Sequence, residues 1–186
     1  QNQRRQPRNC KENRKRLLVI DRVKADIEQW LINFVEVPHP ALGNFPPCPF
    51  ARQARLRNKY DVRLGDDLER DLFLFAKKKY LGKNDVIIYA YPPKQYDDAY
   101  FNFVVDVVNT SKGFIKRNLL ALADHPDTVE EQNGVCFNMG KYALVLIQDK
   151  TKLQDHSKML AHRGYYDGWD EEYLQEVFAH RKDPRK

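Results

Sequence analysis

Cys48 stands in the run Pro46-Pro47-Cys48-Pro49-Phe50-Ala51-Arg52. Proline is favoured at the first position of a helix, and the residue before it becomes the N-cap. A helix starting at Pro49 therefore makes Cys48 its N-cap, with the sulfur facing unpaired N–H groups and the positive end of the helix dipole. Arg52 and Arg55 add positive charge one turn further on. Such surroundings lower a thiol pKa and yield a thiolate, able to act as nucleophile, redox centre or metal ligand. The competing reading is a small buried side chain that holds the proline loop to the core.

A second chemically capable segment is Asp124-His125-Pro126-Asp127, directly after an expected strand. Open α/β sheets gather ligands beyond the carboxyl ends of their strands, so His125 is placed for general-base work or metal binding. Its neighbours have a structural reading: Thr128-x-x-Glu131 fits a capping box and Asp127 suits a turn. His39, flanked by Pro38 and Pro40, can close on Cys48. Together His39, Cys48, His125 and Asp127 offer the ligand types that zinc or iron takes. The segment Gly164–Asp170 places Tyr165, Tyr166 and Trp169 in a turn, as core cover or as a ligand wall.

Other chemistries are excluded by what is missing. There is no Cys-x-x-Cys, no His-Glu-x-x-His, no Gly-x-Gly-x-x-Gly and no Walker-type loop. The serines are Ser111 and Ser157, and neither sits in a nucleophile elbow. No cofactor is specified. No apolar run approaches the ~18 residues of a membrane-spanning helix. The three cysteines are widely spaced, which argues against a disulfide framework and for a reducing, cytoplasmic compartment.

Charge is unevenly placed. Residues 1–16 carry Arg4, Arg5, Arg8, Lys11, Arg14, Lys15 and Arg16 against Glu12 alone, which accounts for the whole net charge of +6. Such a segment attracts phosphates in a salt-dependent, sequence-blind way. It has no aromatic side chain for base stacking, so weak nonspecific contact with nucleic acid or another acidic surface is the expectation.

The elements that must position these groups follow from periodicity. Residues 1–12 read as a disordered basic tail and 13–186 as a single globular domain. A long N-terminal helix from Asn13 carries the stripe Leu17, Ile20, Val23, Ile27, Trp30 or Leu31, and Phe34, and Pro38 ends it. A short helix spans Phe50–Arg57 and a strand Tyr60–Leu64. Asp66 and Glu69 read as a capping pair for a helix running to Tyr80. Strands follow at Val86–Tyr91, Leu119–Ala123 and Tyr142–Ile147. Further helices run from Tyr96 to Ser111, over Thr151–His162, and from the cap Asp170 to His180. This order predicts an α/β (α+β) fold, a mixed sheet of about four strands with helices packed on it.

Over residues 30–160 the order of motifs resembles an uncharacterised bacterial family of short proteins known as a domain of unknown function. The matching residues are Trp30-Leu31, then Cys48-Pro49-Phe50-Ala51-Arg52, then Tyr96-Asp97-Asp98-Ala99-Tyr100-Phe101, then His125-Pro126-Asp127. The chain departs from it in a longer proline-rich insert before Cys48 and in lacking an Asn-Arg-Ser-Pro segment around Asn133–Asn138. The resemblance implies no established activity, only that Cys48 and His125 belong together. Two functions are therefore expected: a small soluble thiol- or metal-dependent enzyme using Cys48 and His125, or a non-catalytic binding protein that docks through its basic N-terminus.

Overall fold

The structure is a computed structural model that describes residues 10–78 and 81–186. Its first element, α1, covers Cys10–Trp30 and ends in a widened π turn over Leu31–Val35, where Glu36 N–H donates to Leu31 O at 2.9 Å. The helix thus begins before Asn13, and residues 10–12 are helical rather than disordered. Lys11 and Glu12 are good helix formers, which makes this extension inexpensive. The disorder expected of residues 1–9, together with Arg4, Arg5 and Arg8, lies outside the described residues. Val23, Ile27, Leu31 and Val35 recur every four residues and are buried. The expected stripe starts at Leu17, but burial begins further along, and Leu17 is 62% exposed.

After α2 (Ala51–Leu56) come β1 (Tyr60–Leu64), α3 (Leu68–Lys78), β2 (Val86–Tyr91), α4 (Asp98–Thr110), α5 (Lys112–Lys116) and β3 (Leu119–Asp124). A small hairpin, β4 (Glu131–Gln132) and β5 (Val135–Cys136), precedes β6 (Ala143–Asp149), α6 (Lys150–His162) and α7 (Glu171–Val177). The main sheet has four strands in the order β1-β2-β6-β3. β1 and β2 are parallel, and β6 runs antiparallel to both β2 and β3. This is the mixed sheet with packed helices that the sequence predicts.

Alternation along the strands sorts the core into two. Ile87, Tyr91, Val145 and Ile147 pack on one face with Leu72, Phe75, Phe101 and Phe114 of α3, α4 and α5. Val62, Ile88, Ala90 and Leu144 pack on the other with α1 and its π turn. A third cluster joins Leu160, Tyr165, Tyr166, Leu174 and Phe178, with Phe45 and Phe50 against it.

Two local expectations are corrected. The N-cap of α3 is Asp67, which accepts from Arg70 N–H at 2.8 Å, and Asp71 accepts from the N–H groups of Asp66 and Asp67. The reciprocal pair is therefore Asp67 and Asp71, not Asp66 and Glu69, because Gly65 continues the strand and delays the helix. A Cβ at Gly65 would run into the ring of Tyr91. No helix follows Thr128; Glu131 opens β4, and the Thr128 hydroxyl accepts from Asn102 instead.

The β3 edge of the sheet is closed by a side chain. Asn109, on α4 and 9% exposed, donates through Nδ2 to Ala121 O and accepts from Ala121 N–H, both at 2.8 Å. The amide occupies the place of a neighbouring strand. Replacing it strands a buried donor and a buried acceptor, each costing about 1–3 kcal/mol. Asn109→Ala is accordingly expected to lower unfolding free energy by at least ~2 kcal/mol in urea titration. A loss under ~0.5 kcal/mol, the range of ordinary surface changes, contradicts the cap.

Candidate functional site

Cys48 lies before α2, not at its cap. Its N–H donates to Val35 O and its C=O accepts from Ala51 N–H, both at 3.1 Å, while Phe50 occupies the N-cap position. The helix is six residues long and carries little dipole. Arg55 is engaged elsewhere: its Nε and Nη2 hold the Glu36 carboxylate at 2.7 and 2.9 Å. Residue 48 as a whole is exposed, yet the packing around its sulfur excludes enough water to push the thiol up. Glu36 pushes the same way, while the N–H groups of Phe50 and Ala51 act against it. The direction is thus the reverse of the low-pKa thiolate that the sequence suggests, because burial of the sulfur outweighs the two N–H groups that face it. Tyr165 OH donates to Pro47 O at 2.6 Å and ties this loop to the third core cluster.

His125 is fully buried, at 0% exposure. Its Nδ1 accepts from Asp127 N–H at 3.2 Å, and its Nε2 lies 3.1 Å from Tyr96 O. A backbone N–H only donates and a carbonyl only accepts, so the ring is held as the Nε2–H tautomer. Phe101 packs on it with ring centroids 5.4 Å apart. Neither nitrogen is left for a substrate or a metal, and the structural role wins. Among the described residues no hydrogen bond joins Cys48 to His125.

The metal set is likewise not assembled. His39 Nδ1 accepts from Ala41 N–H at 3.2 Å, capping a short turn, and Asp127 is exposed. Among the described residues no three His, Cys, Asp or Glu side chains converge on a point that could hold an ion. The aromatics of Gly164–Asp170 close on one another, with Tyr165 and Tyr166 rings 4.9 Å apart, and serve as core cover rather than a ligand wall.

What sequence reading missed is Asn138. Its Nδ2 donates to Asp124 Oδ1 and to His125 O, both at 3.2 Å, and its Oδ1 accepts from Glu130 N–H at 3.1 Å. Asp124 accepts from Met139 N–H as well, but burial outweighs these bonds and pushes its carboxyl up. One amide therefore ties both ends of the segment 124–139 together. An Asn four residues beyond the Asn133-Gly134 turn gives no local sign of this role.

The basic residues are the group the fold leaves available. Arg14, Lys15 and Arg16 are exposed on α1, and no ion pair engages them among the described residues. Leu17, Leu18 and Val19 follow at 62%, 65% and 50% exposure. Arg16, Leu17 and Ile20 share an open groove of about 640 Å³ with Val62, Arg63, Leu64 and Tyr89. Arg63 is already paired with Asp61 at 2.9 Å. No helix among the described residues is long and apolar enough to cross a membrane. No known family model, curated protein or solved structure matches this chain.

Two titrations follow from this geometry. With Cys10 and Cys136 replaced by Ser, alkylation of Cys48 is expected to be slow at neutral pH and half-maximal above the ordinary thiol value of ~8.5. Glu36→Gln shifts that midpoint down by removing a neighbouring negative charge. A midpoint below the ordinary value contradicts the assignment. Glu130 is the second group: burial, then Asp124 and Glu176, push it up to about 7. An acid held high binds its proton more tightly folded than unfolded, so its contribution to stability falls as pH rises from 4.5 to about 7 and is level above. Glu130→Gln is expected to raise Tm at about pH 8 and to leave it unchanged near pH 4. An equal change at both pH values rules this out.

Proposed function

We propose that the chain is a non-catalytic docking module that engages an acidic partner through the basic first half of α1. The observation that carries this reading is the run Arg14-Lys15-Arg16, exposed on a formed helix. A helix fixes their spacing before contact, so less side-chain and backbone freedom is lost on binding. The residues beyond 16 sum to no net charge, so attraction is directed to one end of the molecule. The saturated hydrogen bonding of His125 and the raised Cys48 thiol weigh against the enzymatic alternative.

Duplex DNA serves as a sequence-blind polyanion to measure this attraction. Each phosphate contact contributes about 0.9 to the slope of log K against log salt. Replacing Arg14, Lys15 and Arg16 together by Ala is expected to reduce that slope by about 2–3 with the far-UV spectrum unchanged. An unaltered slope removes α1 from the contact.

A further inference from the structure

α4 turns Phe101, Val104 and Val105 into the core. Away from the sheet, Tyr100, Phe103 and Val107 recur at steps of three and four and form one exposed stripe. α3 lies alongside, and its Glu69 accepts from the Tyr100 hydroxyl at 2.5 Å. Phe73 stands one turn on from Glu69 and is 55% exposed, and Phe103 is 62% exposed. An apolar surface shared by two helices and open to solvent marks an interaction site.

Charge gives this surface a direction. Glu69, Phe73 and Lys77 follow at steps of four, so one face of α3 reads acid, apolar, base. Lys77 Nζ stands 4.2 Å from the Phe73 ring centre. The acidic end is reinforced from α4: Gln95 Nε2 donates to Asp66 O at 2.9 Å and Leu68 N–H to Tyr96 OH at 3.0 Å, which brings Asp97 and Asp98 beside Asp66 and Asp67. Arg70 pairs with Asp66 at 2.7 Å and Lys94 precedes the start of α4, so carboxylates still outnumber cations there. α1 carries the reverse order. Arg14, Leu17, Leu18 and Asp21 fall at i, i+3, i+4 and i+7, share one face, and are all exposed. That face reads base, apolar, acid over about 10 Å, against about 12 Å from Glu69 to Lys77, at ~1.5 Å of rise per residue. Val23 and Ile27 hold another side of α1 to the sheet face opposite α3 and α4. A chain therefore cannot lay this face of α1 on its own α3 and α4.

We propose that the exposed surface of α3 and α4 receives the first half of α1 from a second copy of this chain, with Leu17 and Leu18 on Phe73 and Phe103, Arg14 toward the acidic helix starts and Asp21 toward Lys77. The inference rests on the docking reading and names its acidic partner. Affinity comes from the apolar contact, and the two opposed charge orders fix direction and register. The two surfaces differ, so the contact is heterologous and copies join head to tail. Two α1 faces laid together in the same direction would set Arg14 on Arg14 and Asp21 on Asp21. A nucleic acid would set phosphates against Leu17, Leu18 and Asp21.

The test is sedimentation of the full chain from about 10 to 500 µM at low salt, where the mass of the wild type is expected to rise above that of one chain. Leu18→Glu and Phe103→Glu, both at exposed positions, are each expected to weaken association at least about tenfold with far-UV spectrum and Tm retained. Leu18→Ser and Phe103→Ser replace them should either glutamate disturb the fold. Mixed in equal amounts, the two variants are expected to form a complex of two chains and nothing larger, because each has lost a different one of the two surfaces. A mixture that stays monomeric, a variant that still associates with itself as the wild type does, or a wild type that is monomeric throughout overturns the proposal. A monomeric wild type that binds duplex DNA through Arg14, Lys15 and Arg16 keeps the docking reading and discards self-association. A monomer that does not bind DNA discards both.

Discussion

Burial of β6 is the constraint on which the remaining structure depends. It lies between β2 and β3, so both of its edges must be hydrogen-bonded and both of its faces covered. Ala143, Leu144, Val145 and Ile147 are within 1% of complete burial. Odd positions feed the core under α3, α4 and α5, and Leu144 feeds the core under α1. A strand so placed cannot take a polar side chain on either face without stranding it. It is also the last strand in the chain, so neither core is complete until residues far apart in sequence have met.

The same requirement explains what became of the chemically capable residues. The chain that leaves β3 must cross to β6 over the end of the sheet, and its polar groups are buried there. Asp124, His125 and the backbone at Glu130 and Met139 are therefore satisfied within the segment, largely by Asn138. A histidine whose two nitrogens serve Tyr96 and Asp127 fixes the path of the backbone. At Cys48 the competing demand comes from Glu36, nearly buried and in need of a cation, which Arg55 supplies. In both places polar groups are engaged by folding contacts within the chain.

Much of the fold was legible because it is written locally. The apolar runs Val86–Tyr91 and Ala143–Asp149 are too rich in branched residues and too short for helices, and they form strands. Asp170 marks a helix start through its own side chain, which accepts from Tyr173 N–H. What was not legible depends on partners distant in sequence. The capping pair is Asp67 and Asp71 rather than Asp66 and Glu69, and the chain just before it is held by Tyr91 packing over Gly65, a contact across 26 residues. The pairing of Arg55 with Glu36 spans 19 residues, and the thiol of Cys48 is pushed up chiefly by burial, which depends on how the loop packs and not on its neighbours in sequence. The resemblance in motif order implies that Cys48 and His125 belong together, and among the described residues no hydrogen bond links them.

The amide of Asn109 has a consequence for assembly. A sheet with two open edges can be extended from both sides, and identical copies can then stack without end. Here the β3 edge is occupied at Ala121 from within the chain. A copy adding to β3 would first have to displace this amide from Ala121, so the side chain that completes the fold also guards that edge of the sheet against end-to-end stacking.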